Sequence, residues 1–442
     1  MSESIRLPEQ DAPVLADVDV AVAGGGPAGV ASAVAAARRG ASTLLVEASS
    51  HLGGQMSGGL LQVFQPTVGT EGLFDELRDR LRELDGLRDD WLVDSELAKV
   101  ALMRMAREAG VRMLFCAQSC GALTDAGRVN GMTVACKAGL AAVRSKMLID
   151  CTGDGDIAAS AGAAHDKGRE DGLLQACTMC FNLAGCDWDA WMAGYEAFRE
   201  HVTEYAAADR AAGRLNLPEH VTPHGPGGHT MLPGLTRINT DMVMGVDATD
   251  PWSLSDGINA ARERALEIVA FLRKYAPGCG NLRLARTADL FGVRETRRFR
   301  GLATVTGDEV ISGRKRADGI CRASFYLDLH DGQGAAAKKR ERAEDRPAEG
   351  DWYEIPYGCL VPEAVDGLLI AGRCVSSDRR ANGSLRIMPT CMGMGQAAGV
   401  AAATCAAEGV ESRDLPHERV QAVLRDRFGL VLNQWIDQPT EV

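Results

Sequence analysis

The chain has 442 residues, 46% hydrophobic and 24% charged, with a formal net charge of −12; these proportions exclude a fibrous or disordered chain, and the acidic balance excludes a basic footprint for nucleic acid or anionic lipid. The length predicts more than one domain, and no apolar run approaches the roughly 18 residues that a membrane helix needs. Residues 1–14 lack the basic start and apolar stretch of a secretory signal, and thirteen scattered cysteines read as reduced thiols, so a cytoplasmic location is expected.

In chain order, residues 17–50 predict strand, glycine turn, helix and strand: Val18 to Ala23, then Gly24 to Gly29, an alanine-rich helix to Arg39, and Thr43 to Glu47. That is one βαβ unit. Two amphipathic helices follow. The first carries Leu73, Leu77, Leu81 and Leu84 on one face; the second starts at the capping signal Asp94-Ser95 and runs to Glu108, where Gly110 stops it. Residues 111–149 switch to short strands with glycine turns, which predicts an antiparallel meander inserted in a parallel sheet. The strand 145–150 leads into Cys151-Thr152-Gly153-Asp154-Gly155-Asp156 and an alanine-rich helix.

Residues 166–350 contain no second strand-glycine-helix signature. They predict a helix from Asp256 to Tyr275 stopped by Pro277-Gly278, an alternating segment at 325–329, and a solvated loop at 331–350 rich in Gly, Ala and charge. After that loop the parallel-sheet pattern returns with a buried strand at 367–371 and a small-residue helix at 394–408 that would pack closely on a sheet. The expected organisation is a discontinuous domain, residues 1–165 and 351–442, with residues 166–350 inserted as a substrate-covering domain.

Gly24-Gly25-Gly26-Pro27-Ala28-Gly29 fits G-x-G-x-x-G between a strand and a helix. Gly24 permits the turn, Gly26 lets the backbone approach a pyrophosphate, Gly29 allows close helix packing, and the helix N-terminus faces the negative charge. Glu47, at the end of the next strand, is placed to accept hydrogen bonds from ribose hydroxyls. Dinucleotide binding follows from this context; the pattern by itself does not separate NAD from FAD. His51-Leu52-Gly53-Gly54-Gln55 and Met56-Ser57-Gly58-Gly59 place a second glycine run beside the same nucleotide, for which an NAD domain has no evident use. Leu369-Ile370-Ala371-Gly372-Arg373, followed by Arg386-Ile387-Met388-Pro389-Thr390-Cys391-Met392-Gly393-Met394, again reads as strand, loop and helix N-terminus. Such a terminus suits an anionic reduced flavin.

With these motifs the chain resembles the FAD-dependent oxidoreductase family related to the fumarate reductase flavoproteins. The resemblance runs through 20–29, 45–59, 150–162 with 168–175, 245–250, 292–298, 326–331 and 355–399. It implies an α/β fold: a Rossmann-like FAD-binding domain, its parallel sheet carrying the inserted meander, plus an inserted α+β substrate domain. Expected cofactor-binding residues are Gly24, Gly26, Pro27, Ala28, Glu47, Ala48, Gly53, Gly54, Gln55, Gly59, Gly153, Asp154, Gly372, Arg373, Arg386, Met388, Thr390, Met392 and Gly393. Fumarate reductase flavoproteins often tether FAD through a histidine; here His51 precedes the glycine pair, so non-covalent FAD is expected. Close relatives carry a histidine in the loop after the Gly372-Arg373 position, where this chain has Ser377-Asp378-Arg379-Arg380.

Candidate catalytic residues are Arg294, His330 and Arg379, with His229 a weaker one. Arg holds a carboxylate or enolate oxygen, and His moves a proton near neutral pH. Arg294 is equally read as a structural partner of Glu295 or a neighbour. Cys177-Thr178-Met179-Cys180 has C-x-x-C spacing but reads as core filling, and no metal motif is present. The function expected is hydride transfer between flavin N5 and a small organic substrate, an enone or a ketone/alcohol, with NAD(P)H or a redox partner protein as electron donor. The alternatives are an electron-transfer subunit working with an iron–sulfur partner and a flavin-binding protein without turnover.

Overall fold

The computed structural model describes residues 11–432 apart from 70, 220, 240–242 and 331–343, so the loop expected at 331–350 lies mostly outside the described residues. Seven strands make the main sheet: β1 (Val14–Ala23), β2 (Thr43–Glu47), β3 (Arg112–Phe115), β4 (Gln118–Asp125), β5 (Arg128–Cys136), β6 (Gly139–Asp150) and β7 (Leu368–Ile370). Their order is β3-β2-β1-β6-β5-β4, with β7 also paired to β6. The β1–β2, β2–β3, β1–β6 and β6–β7 pairs are parallel, while β4–β5 and β5–β6 are antiparallel.

β6 joins the two patterns. Its first half pairs with β5 from Gly139↔Cys136 to Arg144↔Gly131, and its last residues, Leu148 to Asp150, take β7 on that same edge. The expected meander is therefore present, but it shares a strand with the parallel sheet. Val20, Ala21, Val22 and Ala23 of β1 are fully buried, as a parallel strand covered on both faces must be. Strand order reverses at β1, which puts a crevice outside the carboxyl ends of β1, β2, β6 and β7.

Among the described residues the α-helices, in order, are α1 (Pro27–Arg38), α2 (Leu73–Glu83), α3 (Ser95–Glu108), α4 (Asp156–Ser160), α5 (Trp188–Ala211), α6 (Pro251–Tyr275), α7 (Gly307–Ser312), α8 (Arg379–Leu385), α9 (Met388–Glu408) and α10 (His417–Phe428). Asp94 caps α3 as its signal predicts, accepting from the Glu96 and Leu97 N–H groups at 2.8 and 3.1 Å. Two starts differ from expectation. α6 begins at Pro251, capped by Asp250, and α9 begins at Met388 rather than Met394, with Pro389 in its first turn; a proline is favoured there because the first N–H groups of a helix have no internal partner. The segment 325–329 forms no strand.

α9 packs chiefly on α1, not flat on the sheet as expected. A Cβ added at Gly395 would lie 2.1 Å from the Ala28 carbonyl oxygen and one at Gly399 2.2 Å from that of Ser32. The Ser32 hydroxyl donates to the Gly395 carbonyl at 3.0 Å. Glycines four apart thus bring the two helix backbones into contact and draw their N-terminal ends to one crevice. A separate core forms where Phe181, Leu183 and Ile238 of the three-stranded sheet Leu235–Ile238, Phe181–Ala184, Arg283–Thr287 meet Trp191 and Phe198 of α5 and Phe271 and Leu272 of α6. Among the described residues no helix is long and apolar enough to cross a membrane, and none of the thirteen cysteines forms a disulfide.

Candidate active site

The turn after β1 is fixed by near contacts that only glycine allows. Gly24 has φ +94° and a Cβ there would meet the Cys151 carbonyl oxygen at 2.5 Å; one at Gly29 would meet the Gly24 carbonyl oxygen at 1.8 Å. At Gly26, the residue before α1, a Cβ would meet nothing within 4 Å. The space in front of the α1 N–H groups is therefore open. Glu47 stands at its rim, accepting from the Gly25 N–H at 2.6 Å and the Ser49 N–H at 2.7 Å; Ala48 beside it is exposed. Gly53 and Gly54 both have positive φ. The glycine run they begin packs on residues 289–292: the Gln55 amide donates to the Phe291 carbonyl at 3.0 Å, and the Gly58 carbonyl accepts from the Asp289 and Leu290 N–H groups at 2.9 and 3.1 Å. Gly59 closes on Gln55, whose amide oxygen would lie 2.2 Å from a Cβ at that position.

At the end of β6, Asp150 is fully buried and accepts from the Thr152 N–H (3.0 Å) and the Ala158 N–H (2.8 Å), which folds residues 151–158 into a fixed turn. Arg373, after β7, lies over Gly153, where a Cβ would be 2.6 Å from its guanidinium. Asp154 accepts from Arg373 and from the Thr296 hydroxyl, each at 2.6 Å; burial works against the Arg373 charge, but Asp154 holds it above the ordinary guanidinium value. Gly372 has φ +107° and sits beside Ala28. In α9, Met388, Thr390 and Met392 are buried, while Gly393 is small because Cys321 Sγ would lie 2.5 Å from a Cβ there.

The candidate catalytic residues fall into two groups. Asp328 accepts from His330 Nε2 at 3.0 Å and from Arg386 Nη2 at 3.1 Å. Arg294 donates to the Ala176 carbonyl (2.6 Å) and the Thr178 hydroxyl (2.8 Å), and its charge bears on both His330 and Asp328. Burial, then the Arg294 charge, pushes the His330 imidazole down to about 3. Although burial opposes it, the His330 hydrogen bond and the Arg386 and Arg294 charges hold the Asp328 carboxyl well below the usual carboxylate range. Burial and the adjacent Arg386 push Arg294 down to about 10, still protonated at neutral pH. At pH 7 this cluster has two guanidinium charges, one carboxylate and a neutral imidazole.

Arg379 belongs elsewhere. Glu295, its side chain fully buried, accepts from Arg379 Nε at 3.1 Å and from Arg298, so Glu295 pairs with those two and not with Arg294. His229 packs at a tilt against Trp188, ring centroids 3.9 Å apart and planes 42° from parallel. Cys177 and Cys180 are buried with Met179, Val243 and Phe291, and burial pushes the Cys177 thiol up to about 11. Cys391 is likewise pushed up to about 12. Glu295 enters the sequence reading only as a possible partner of Arg294 and Asp328 only as a neighbour of His330, and Gln175 only within the 168–175 motif; none of the three is singled out as a site residue.

The family model described as FAD dependent oxidoreductase matches residues 19–424. The chain belongs to that family. It is an FAD-dependent oxidoreductase, and FAD is its cofactor. The residues fit it: among the described residues, the buried side-chain atoms without a hydrogen-bond partner include Gln175 Oε1 and Nε2, Arg373 Nε, Asn382 Oδ1, Arg386 Nε and Thr390 Oγ1. Buried polar atoms are rarely left unsatisfied, so these groups fit a ligand with a polar ring system such as a flavin.

Among solved structures, the chain is similar to a geranylgeranyl bacteriochlorophyll reductase-like protein from Thermoplasma acidophilum, with 13% identity over 93% of this chain and 84% of that one and a TM-score of 0.46. An anhydrotetracycline hydroxylase from Streptomyces rimosus shares 14% identity over 92% of this chain and 65% of its own, TM-score 0.43. A flavin-dependent brominase shares 13% over 93% and 83%, TM-score 0.44. No curated protein matches the chain.

Proposed function

We propose that this oxidoreductase transfers a hydride between FAD and a small organic substrate, an enone or a ketone/alcohol pair. Residues 1–165 and 351–442 would bind FAD, and residues 166–350 would cover the substrate. The observation that carries the reading is the half-buried group Arg294, Asp328, His330 and Arg386, drawn from three chain segments and bearing one net positive charge. Such a group stabilises the negative charge that builds on a carbonyl oxygen as a hydride adds to the carbonyl carbon or to the β-carbon of an enone, the same alkoxide or enolate from which the reverse hydride transfer starts. FAD, when bound, supplies N5 as the hydride donor or acceptor. Arg294 would orient the substrate oxygen; Asp328 fixes His330 and Arg386; His330 would exchange the accompanying proton once the substrate's negative charge raises its affinity for it. Arg379, held by Glu295, would add positive charge at the edge of the site without moving a proton.

FAD would be held without a covalent bond, since His51 Nε2 packs onto Gly58, where a Cβ would be 2.6 Å away, next to Leu290. A closer kinship with fumarate reductase flavoproteins is supported by the sequence motifs alone. The test is an anaerobic titration followed in the visible spectrum: NADH and NADPH first, then enones, ketones and alcohols. Flavin bands that bleach with a nicotinamide donor and return with an enone or ketone support the proposal. A yellow protein that responds to none of these and needs a partner protein to be reduced overturns it.

A further inference from the structure

We infer that Gln175 is a flavin-binding residue that pairs with the imide edge of the isoalloxazine ring. Gln175 is 1% exposed, and among the described residues neither its amide oxygen nor its amide nitrogen has a hydrogen-bond partner. Both atoms of one side chain being orphaned is unusual, because each buried polar group left unmatched disfavours the fold. The amide is not a loose end. Its backbone N–H donates to Glu295 Oε2 at 3.2 Å, the next N–H donates to the His330 carbonyl at 3.0 Å, and the Ala176 carbonyl accepts from Arg294 at 2.6 Å. The segment is thus fixed on both sides of the side chain.

Its position also points to the flavin. Two residues on, the charges of Arg294, Arg373 and Asp154 all bear on the Cys177 thiol, and those of Arg373 and Arg386 bear on Cys391 in the first turn of α9. Hydrogen bonds make the same link: residues 175 and 176 are tied to Glu295, His330 and Arg294, and Thr296, beside Glu295, is joined through Asp154 to Arg373 after β7. A ligand that satisfies Gln175 has to present a donor and an acceptor side by side. A carboxylate or phosphate offers acceptors alone and would leave the amide oxygen unmatched. The flavin imide, carbonyl–N–H–carbonyl, offers both, and its symmetry accommodates either orientation of the amide.

The inference rests on FAD being the cofactor and is tested by reconstituting the apoprotein with FAD and with FAD methylated at N3, which removes the donor. The wild-type protein should bind the methylated form at least about tenfold more weakly. Gln175→Leu should weaken FAD binding by a similar factor and abolish the discrimination between the two flavins. Its apoprotein should melt at or above the wild-type temperature, because the substitution removes two unmatched polar atoms; a purely structural glutamine would lower it. Equal binding of both flavins by the wild type, or discrimination kept in Gln175→Leu, overturns the assignment alone. A protein that takes up neither flavin overturns it together with the cofactor reading.

Discussion

The turn at residues 24–29 and the cluster around Asp328 are built differently. At the turn, the geometry is set by backbone against backbone: Gly24 on Cys151, Gly29 on Gly24, Gly395 on Ala28. At the cluster, charged side chains from segments far apart in the chain balance one another, Arg386 reaching Asp328 across 58 positions; the separate Arg379–Glu295 pair spans 84. A phosphate is recognised by N–H groups that every sequence has, so only the absence of side chains has to be encoded. Redox chemistry needs particular charges, which the fold must gather.

The sharpest way to break this comparison is a pair of alanine substitutions. Gly29→Ala forces a Cβ to within 1.8 Å of a backbone oxygen and should destabilise the apoprotein by about 3 kcal/mol as well as remove FAD binding. Gly26→Ala has open space and an ordinary φ of −67°, so apoprotein stability should stay within about 0.5 kcal/mol while FAD binding weakens about tenfold or more. Denaturant unfolding and flavin titration read the two effects separately. If Gly26→Ala keeps wild-type affinity, the open space is not where the pyrophosphate lies.

Arg294→Ala should lower the rate of flavin reduction or reoxidation per bound FAD by roughly 100-fold, the usual cost of losing one preorganised donor to a developing oxyanion. Stopped-flow measurement of the half-reaction decides it. An unchanged rate would remove Arg294 from the chemistry and leave it as a clamp on Ala176 and Thr178.

The same contrast explains what the sequence made legible. The α1 turn, Glu47 and the α3 cap are local patterns, and they stand where the residues predict. The start of α9 was misplaced by six residues because the small-residue pattern from Met394 onward outweighed the proline at 389, a helix-start signal. α5 was not expected at all, although Asp187 caps it and Trp191, Phe198 and Val202 recur at helical spacing. The partners of Arg294, Arg379 and Arg386 were illegible for a physical reason: an ion pair between distant segments leaves no periodic trace. Gln175 illustrates the limit, since its oddity is an absence of partners, visible only once everything around it is placed.

The smallest expected effect concerns His330. Its folded-state value near 3 lies below the ordinary 6.5, so in the folded protein the imidazole stays neutral where the unfolded chain takes up a proton. Between those two values the unfolded state binds more protons, and stability must rise with pH, reaching its full value above about 6.5. One proton corresponds to a slope of about 1.4 kcal/mol per pH unit. Denaturation of the wild type and of His330→Gln between pH 4.5 and 6 should differ by about that slope, with the variant flatter. Equal slopes would mean that His330 is charged in the folded state, and the cluster would then hold two net positive charges rather than one. That outcome would turn the proposal from a neutral carbonyl oxygen toward a substrate already anionic before the hydride moves.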